Sequence, residues 1–177
     1  MNKDLKKIAK ITLEILTKNS WKNISLKDVK KKSKIISFEK LINEKKYLLK
    51  NLNAYFDYLL SLKIKNLDSS NEKDVIFEIL MMRFDILQQN RKAILSIFNS
   101  YKINPEDLII LIPAILDSII LIFKHAKIST KGLNSKIKIK GYFLIYILAF
   151  NSWTKDKSNS LEKTMVSLDN YLNQFEK

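Results

Sequence analysis

Glycine and proline are scarce in this chain, and their scarcity limits its fold more than any other feature. Its 177 residues include two glycines and two prolines. Tight turns between strands consume these residue types, so a sheet protein of this length would need more of them. Apolar residues recur instead at helical spacing, as Leu5, Ile8, Ile15 and Leu16 do near the amino terminus. The sequence therefore predicts an all-α protein.

Residue patterns typical of catalysis and metal binding are weak. The chain has no cysteine, which excludes disulfides, thiolate metal sites and cysteine catalysis. His125 is the only histidine, and it lies near the end of an apolar segment without the partners that a general base needs. The sequence has no phosphate-binding glycine loop and no Gly-x-Ser-x-Gly motif. We therefore expect neither enzymatic activity nor a cofactor or metal.

The most apolar segment, residues 108–123, is shorter than the roughly 20 residues that a membrane-spanning helix needs. It also contains Pro113 and Asp117, so we expect a buried core helix. Lysines interrupt the first ten residues, which therefore lack the apolar core of a signal peptide. These features favour a cytoplasmic location. Peripheral membrane contact is an alternative that the sequence does not favour.

Positive charge is concentrated in the first part of the chain. The net charge is +14, and residues 1–50 alone carry 15 lysines and five acidic residues. An A/T-rich genome would raise lysine throughout the chain and predicts no such asymmetry. The amino-terminal segment therefore favours a polyanionic partner, either nucleic acid or acidic lipid.

The apolar spacing predicts nine helices, of which the first three are short and basic. Ser25 has the position of an N-cap, and Asp28 follows three residues later as in a capping box. We interpret Trp21 as a wedge between helices. Residues 66–74 form the clearest polar linker. The predicted helices cover residues 4–18, 25–32, 37–42, 45–66, 74–89, 91–101, 104–127, 133–153 and 161–175, with a bend or break at Pro113 in the seventh.

This order of helices resembles the tetracycline-repressor (TetR) family of bacterial transcription regulators. Residues 73–94 (KDVIFEILMMRFDILQQNRKAI) and 152–172 (SWTKDKSNSLEKTMVSLDNYL) resemble an alphaproteobacterial branch of it. Trp153, Asp156, Ser158, Thr164 and the pair Leu168-Asp169 form a pattern that is also similar to the ubiquinone-biosynthesis lipid-binding family, the ninth coenzyme Q protein. The resemblance implies a bundle of about nine helices with an amino-terminal three-helix helix-turn-helix subdomain.

In TetR-like proteins, helices two and three form the helix-turn-helix, and the third lies in the DNA major groove. The resemblance implies a DNA-binding subdomain at residues 1–48 and a ligand-binding and dimerisation domain at 49–177. Residues 33–36 (SKII) replace the family's Ala-Gly-Val-Ser turn, whose glycine accommodates a left-handed backbone. This departure favours phosphate binding over base reading. The expected contacts to double-stranded DNA are Lys27, Lys30, Lys31, Lys34, Ser37, Phe38, Lys40 and Lys45.

The resemblance further implies a homodimer and an apolar small molecule or lipid bound in the later helices. The alternative is a lipid-binding protein of the ubiquinone-biosynthesis type with a degenerate helix-turn-helix. Arg83 and Asp85 are expected at the solvent edge of helix five, although either of them has the alternative role of orienting a ligand. The expected pocket residues are Met81, Phe84, Phe98, Ile115, Phe123, Phe143, Tyr146 and Phe150, and the expected dimer residues are Trp153, Met165, Leu168 and Leu172.

Overall fold

A computed structural model describes residues 1–64, 71–101 and 109–175, and all regular structure in these ranges is helical. The all-α prediction with nine α-helices is confirmed for this part of the chain. A short 3-10 turn, Trp21–Asn23, separates the first two helices. The α-helices are α1 (Lys3–Leu16), α2 (Leu26–Ser33), α3 (Phe38–Leu41), α4 (Lys45–Lys63), α5 (Glu72–Gln89), α6 (Arg91–Tyr101), α7 (Leu111–His125), α8 (Leu133–Lys155) and α9 (Glu162–Phe175).

The chain forms two compact units that interleave in sequence. Unit 1 comprises residues 1–59 and 87–114, and unit 2 comprises residues 60–86 and 115–177. The boundary predicted between residues 48 and 49 separates an expected DNA-binding part from an expected ligand-binding part. It falls inside unit 1 and does not coincide with the division into compact units. Within the described ranges, none of the helices combines the length and the apolar character that crossing a membrane requires.

Unit 1 has a core formed by the apolar faces of its helices. Ile8, Leu16 and Val29 are buried, as their helical spacing predicts. Trp21 is buried too, and its backbone N–H donates to Ser96 Oγ of α6 at 3.1 Å. The 3-10 turn is therefore fastened to α6, in agreement with the interpretation of Trp21 as a wedge.

The predicted capping box begins α2. Ser25 Oγ accepts from the backbone N–H of Asp28 at 3.2 Å, and the N–H of Ser25 donates to Asp28 Oδ2 at 3.1 Å. These bonds satisfy donors that the first turn of a helix leaves without partners. The Ser25 hydroxyl also donates to Asp28 Oδ2 and thereby lowers the pKa of that carboxyl.

Unit 2 pairs its two last helices, α8 and α9. Trp153 of α8 and Leu168 and Leu172 of α9 are fully buried. Gly141 lies within α8, and a methyl group added there would overlap the Phe175 ring of α9. The absence of a side chain at Gly141 thus allows the close approach of the Phe175 ring.

Several predicted boundaries differ from the structure. The third helix has four residues rather than the six predicted, and the first ends at Leu16 rather than at residue 18. Pro113 lies in the first turn of α7, where its missing N–H would have no helical partner, so it does not interrupt the helix. The predicted helix start at residues 104–105 and most of the polar linker fall outside the described residues.

Candidate functional site

The connection between α2 and α3 contains a left-handed residue that is not glycine. Lys34 has φ 52° and ψ 33°, and its backbone N–H donates to Lys30 O at 3.0 Å. Left-handed backbone costs a residue with a Cβ about 1 kcal/mol more than it costs glycine. Lys34 therefore adopts a conformation that glycine would adopt at lower cost, and its side chain adds a cation to the turn.

Most of the side chains predicted to bind DNA lie on the surface of unit 1. The side chains of Lys27, Lys30, Lys31, Lys34, Ser37 and Lys40 are exposed. Lys45 is half-buried, with Nζ 3.2 Å from the Lys22 carbonyl oxygen and 4.9 Å from the centre of the Trp21 ring. Its ammonium group is therefore engaged within unit 1.

Phe38 is placed differently from the prediction. It was expected to face the DNA groove, yet it is 1% exposed and belongs to the core of unit 1. The physical reason is that α3 has only one turn and needs an apolar anchor to hold it against the unit. Ser37 and Lys40, on either side of Phe38, remain on the surface.

Two surface ion pairs involve the run of three lysines in α2, residues 30–32. Lys30 Nζ lies 2.8 Å from Glu39 Oε1 of α3, and Lys32 Nζ lies 2.6 Å from Glu14 Oε1 of α1. The hydrogen bond from Lys30 lowers the pKa of Glu39, and the bond from Lys32 lowers the pKa of Glu14. Because all four side chains are exposed, solvent and salt screen both pairs. A polyanion would therefore compete with Glu39 for Lys30.

Unit 1 also contains a groove of about 620 Å³ that the sequence reasoning missed. Helices α1, α4, α5 and α6 all contribute to its walls. Arg91 Nη1 donates to Gln88 Oε1 at 3.1 Å beside it. The wall residues are mainly polar or charged, and they include Lys10, Glu14, Gln88, Arg91 and Lys92.

Arg83 lies in a buried polar cluster of unit 2, and its predicted place at the solvent edge is wrong. It is 1% exposed, whereas Asp85 is exposed as predicted. Arg83 Nε donates to Tyr146 Oη at 3.2 Å, and Nη2 donates to Ser118 Oγ at 3.4 Å. The helical spacing of Leu80, Arg83 and Leu87 indicates the buried face, and this signal could have placed Arg83 correctly.

The residues predicted to line a ligand pocket are divided between the two units. Phe98 belongs to unit 1, and the other seven belong to unit 2. Phe84 and Tyr146 stack with ring centres 5.6 Å apart, and Phe123 is also buried. Met81, Ile115, Phe143 and Phe150 are half-buried, as is Phe98.

A buried carboxylate, Asp156, organises the turn between α8 and α9. Its Oδ1 accepts from the Ser158 backbone N–H and hydroxyl at 3.0 and 2.6 Å. Its Oδ2 accepts from the Thr164 backbone N–H and hydroxyl at 2.8 and 2.9 Å. Burial by itself raises the pKa of Asp156, but these four bonds outweigh it and hold the pKa at about 2. Asp156, Ser158 and Thr164 belong to the sequence pattern that runs from Trp153 to Asp169, and their hydrogen bonds in this turn explain why these residue types occur there.

Of the four residues predicted at a dimer interface, three are buried and one is exposed. Trp153, Leu168 and Leu172 are fully buried within unit 2 of the single chain, where α8 packs on α9, so a second copy cannot reach them. Met165 is exposed, and its place in a dimer interface stays a prediction. The exposed apolar residues that were missed on these helices include Leu144, Ile147, Leu148 and Val166.

Comparison with known proteins finds a likeness in fold. No family model matches the chain, and no curated protein matches it. The crystal structure of a TetR transcriptional regulator from Rhodococcus sp. RHA1 matches with a TM-score of 0.62 and 11% sequence identity. The match covers 97% of this chain and 96% of that one. The chain therefore has a TetR-like all-α fold.

Proposed function

From this TetR-like fold, we propose that the chain is a DNA-binding transcription regulator that binds DNA through α2, the Lys34 turn and α3. The observation that carries the proposal is the left-handed Lys34 turn, which joins the capped helix α2 to α3 and is surrounded by exposed lysines. Helix-turn-helix proteins use this kind of connection to set the angle of the helix that enters the major groove. Residues 1–48 form the proposed DNA-binding subdomain.

Phosphate contacts dominate the proposed binding. Exposed ammonium groups bind phosphate without strict geometry, and they are presented by Lys27, Lys30, Lys31, Lys34 and Lys40. In the single turn of α3, Phe38 is buried and Glu39 pairs with Lys30, so we assign base-edge contacts to the exposed Ser37 and Lys40. We therefore expect strong salt dependence and modest discrimination between sequences.

The test is the salt dependence of binding to a fluorescent DNA duplex, followed by anisotropy. Each of the substitutions Lys30→Gln and Lys31→Gln should reduce the slope of log affinity against log salt by roughly one unit. Lys163→Gln, an exposed lysine of α9, is the matched control and should leave the slope unchanged. Equal slopes in all four proteins would refute the phosphate assignment.

The proposed regulator is a homodimer formed through α8 and α9. Leu144 and Val166 are each 60% exposed. Leu148, four residues after Leu144, and Met165, next to Val166, are exposed as well. Exposed aliphatic side chains on two paired helices are typical of surfaces that a second copy covers. Dimerisation would also place two helix-turn-helix segments on one DNA molecule.

A second candidate function is binding of an apolar small molecule or lipid, as in the ubiquinone-biosynthesis lipid-binding family. The observation that favours it is the group of large apolar side chains in unit 2 that are only half-buried, namely Met81, Ile115, Phe143 and Phe150. A ligand would cover the apolar area that these side chains leave open.

Native mass spectrometry of protein purified from its own cells tests this candidate. A co-purifying lipid should be present, should be lost in Phe143→Ala and should be retained in Leu62→Ser, at an exposed position on α4 outside the expected pocket. Lipid-free protein in repeated preparations would contradict the candidate without affecting the DNA-binding proposal.

A further inference from the structure

The chain between Asp117 and Asp156 contains no acidic residue but seven lysines. Six of them lie in residues 124–140, at the end of α7, in the α7–α8 connection and in the first turns of α8. All of these residues belong to unit 2. They are therefore a second concentration of positive charge, separate from the lysines of the amino-terminal segment.

The connection between α7 and α8 is held in place by its backbone and by a buried anchor. The N–H of Ile128 donates to Phe123 O at 2.8 Å, and the N–H of Lys127 donates to Lys124 O at 3.2 Å. Ile128 and Ser135 are buried on either side of the exposed Lys131 and Gly132. The lysines of this segment thus project from a fixed backbone.

The first two turns of α8 present aliphatic and basic side chains on one face. Leu133, Lys136, Ile137 and Lys140 occupy positions i, i+3, i+4 and i+7, an arc of about 100° around the helix. Leu133 is 73% exposed and Ile137 is 59% exposed, and both lysines are exposed. Lys138 points to another side, where its Nζ lies 3.3 Å from Glu72 Oε2. We refer to Leu133, Lys136, Ile137 and Lys140 as the basic–apolar face.

We propose that the basic–apolar face, together with Lys131, docks onto the surface of a bilayer that contains anionic lipid. Leu133 and Ile137 would enter the boundary between head groups and acyl chains, and the lysines would lie against the lipid phosphates. Charge complementarity selects this occupant, because a segment with six lysines and no acidic residue of its own attracts an anionic surface. The two exposed aliphatic side chains select lipid over nucleic acid, since a phosphate backbone offers them no apolar environment.

A second copy of the chain fits this face poorly. Pairing the face with itself would bring Lys136 and Lys140 of both copies together, and like charges at short distance repel. Farther along α8, Leu144, Ile147 and Leu148 form an uncharged stretch, which is the part assigned to the proposed dimer. The helix thus changes from basic and apolar at its start to a stretch without charged residues from Gly141 to Thr154.

The test is flotation of the full chain with vesicles of phosphatidylcholine alone or of an equimolar mixture with phosphatidylglycerol. We expect binding to the anionic vesicles that weakens with salt, and little binding to the neutral ones. The double variant Leu133→Ser/Ile137→Ser should lose at least about tenfold in partitioning. Lys136→Gln and Lys140→Gln should each lose about fivefold.

Matched controls remove a similar side chain elsewhere on the surface. Two control variants should bind vesicles as the parent does: Leu62→Ser, at a residue of α4 that is 61% exposed, and Lys163→Gln, at an exposed residue of α9.

Absence of binding to anionic vesicles overturns the proposal. So does full binding by the Leu133/Ile137 double variant, which would identify a site for soluble polyanions. A change in oligomeric state in that variant, measured by light scattering, would instead identify an interface between copies and would equally overturn it.

Discussion

The Asp156 carboxylate accepts both the backbone N–H and the hydroxyl of Thr164, at 2.8 and 2.9 Å, across the turn between α8 and α9. One side chain thereby caps the beginning of α9 from the end of α8. Leu161, which lies between the two residues, has a left-handed backbone with φ 57° and is buried. The turn is thus fixed by a charged hydrogen-bond acceptor and an apolar anchor.

Replacing Asp156 by Asn should destabilise the fold in a pH-dependent way. The folded-state pKa of Asp156 is about 2, below the ordinary value of 3.8, so its contribution is present above about pH 4 and is lost as the pH falls to about 2. We expect Asp156→Asn to lower the free energy of unfolding by about 2 kcal/mol at pH 7, because the amide NH2 faces donors and carries no charge. Urea denaturation at several pH values should show the difference from the parent shrinking between about pH 4 and pH 2.

The control for this prediction is Asp117→Asn, at an exposed carboxyl of α7. It should change the free energy of unfolding by less than about 0.5 kcal/mol. A difference between Asp156→Asn and the parent that stays constant from pH 7 to pH 2 would contradict the assigned role of the carboxylate.

Two substitutions of Lys34 distinguish the effect of its backbone conformation on stability from the effect of its charge on DNA binding. Lys34→Gly should raise the free energy of unfolding by about 0.5 kcal/mol, because glycine adopts φ 52° without a Cβ penalty and this gain exceeds its entropy cost. Lys34→Gln keeps the conformational cost and should leave stability unchanged. Both should reduce the salt slope of DNA binding by about one unit. A loss of stability in Lys34→Gly would show that the turn is not left-handed in solution.

Removal of the Glu39 charge should strengthen DNA binding. Glu39→Gln breaks the ion pair with Lys30 and removes a negative charge from α3, so we expect affinity for duplex DNA to rise about threefold. Glu72→Gln, which breaks the exposed pair with Lys138 in unit 2, is the control. Anisotropy titrations at one salt concentration compare the two. An equal gain in both variants would indicate an effect of net charge alone.

Tyr146→Phe should destabilise unit 2 while keeping its aromatic packing. The change removes the hydroxyl oxygen that accepts from Arg83 Nε at 3.2 Å, but keeps the ring stacked on Phe84. A buried donor that loses its acceptor costs about 1–2 kcal/mol. Tyr171→Phe on α9, at a half-buried ring, should have an effect below about 0.5 kcal/mol. Denaturation midpoints that coincide for both variants would be inconsistent with this role.

The proposed dimer should dissociate when its exposed aliphatic residues are made polar. Leu144→Ser combined with Val166→Ser removes two side chains that are each 60% exposed in the single chain, so folding should be unaffected. Light scattering after size exclusion should show a dimer for the parent and for Leu62→Ser, and a monomer for the double variant. A monomeric parent, or a double variant that stays dimeric, would count against this interface.

Local sequence patterns predicted a helix well where its apolar residues recur at helical spacing and a capping residue marks its start. The Ser25–Asp28 capping box begins α2 as expected, since all of its atoms lie within four residues of chain. The end of α3 and the role of Phe38 could not be predicted in this way. A one-turn helix has too few residues to show a period, so its anchoring by Phe38 becomes visible only in the packed unit.

The candidate sites were predicted less completely than the fold. The exposed lysines of α2 were identified correctly, because the spacing of residues along a helix decides which side chains share its solvent-facing side. Their ion pairs were not, because Lys30 meets Glu39, and Lys32 meets Glu14, only when three helices come together. Trp153, Leu168 and Leu172 were assigned to contacts with a second copy, but the helices α8 and α9 of the same chain bury them.

By itself, the sequence determined the helical class, the approximate helix order and the concentration of lysine at the front, because composition and period are local properties of the chain. Only the tertiary structure decided which partners the buried polar groups meet and which cations are paired. Arg83 and Asp156 show the reason. Their hydrogen bonds depend on Tyr146 and Thr164 in other helices, and no pattern within one helix specifies those distances.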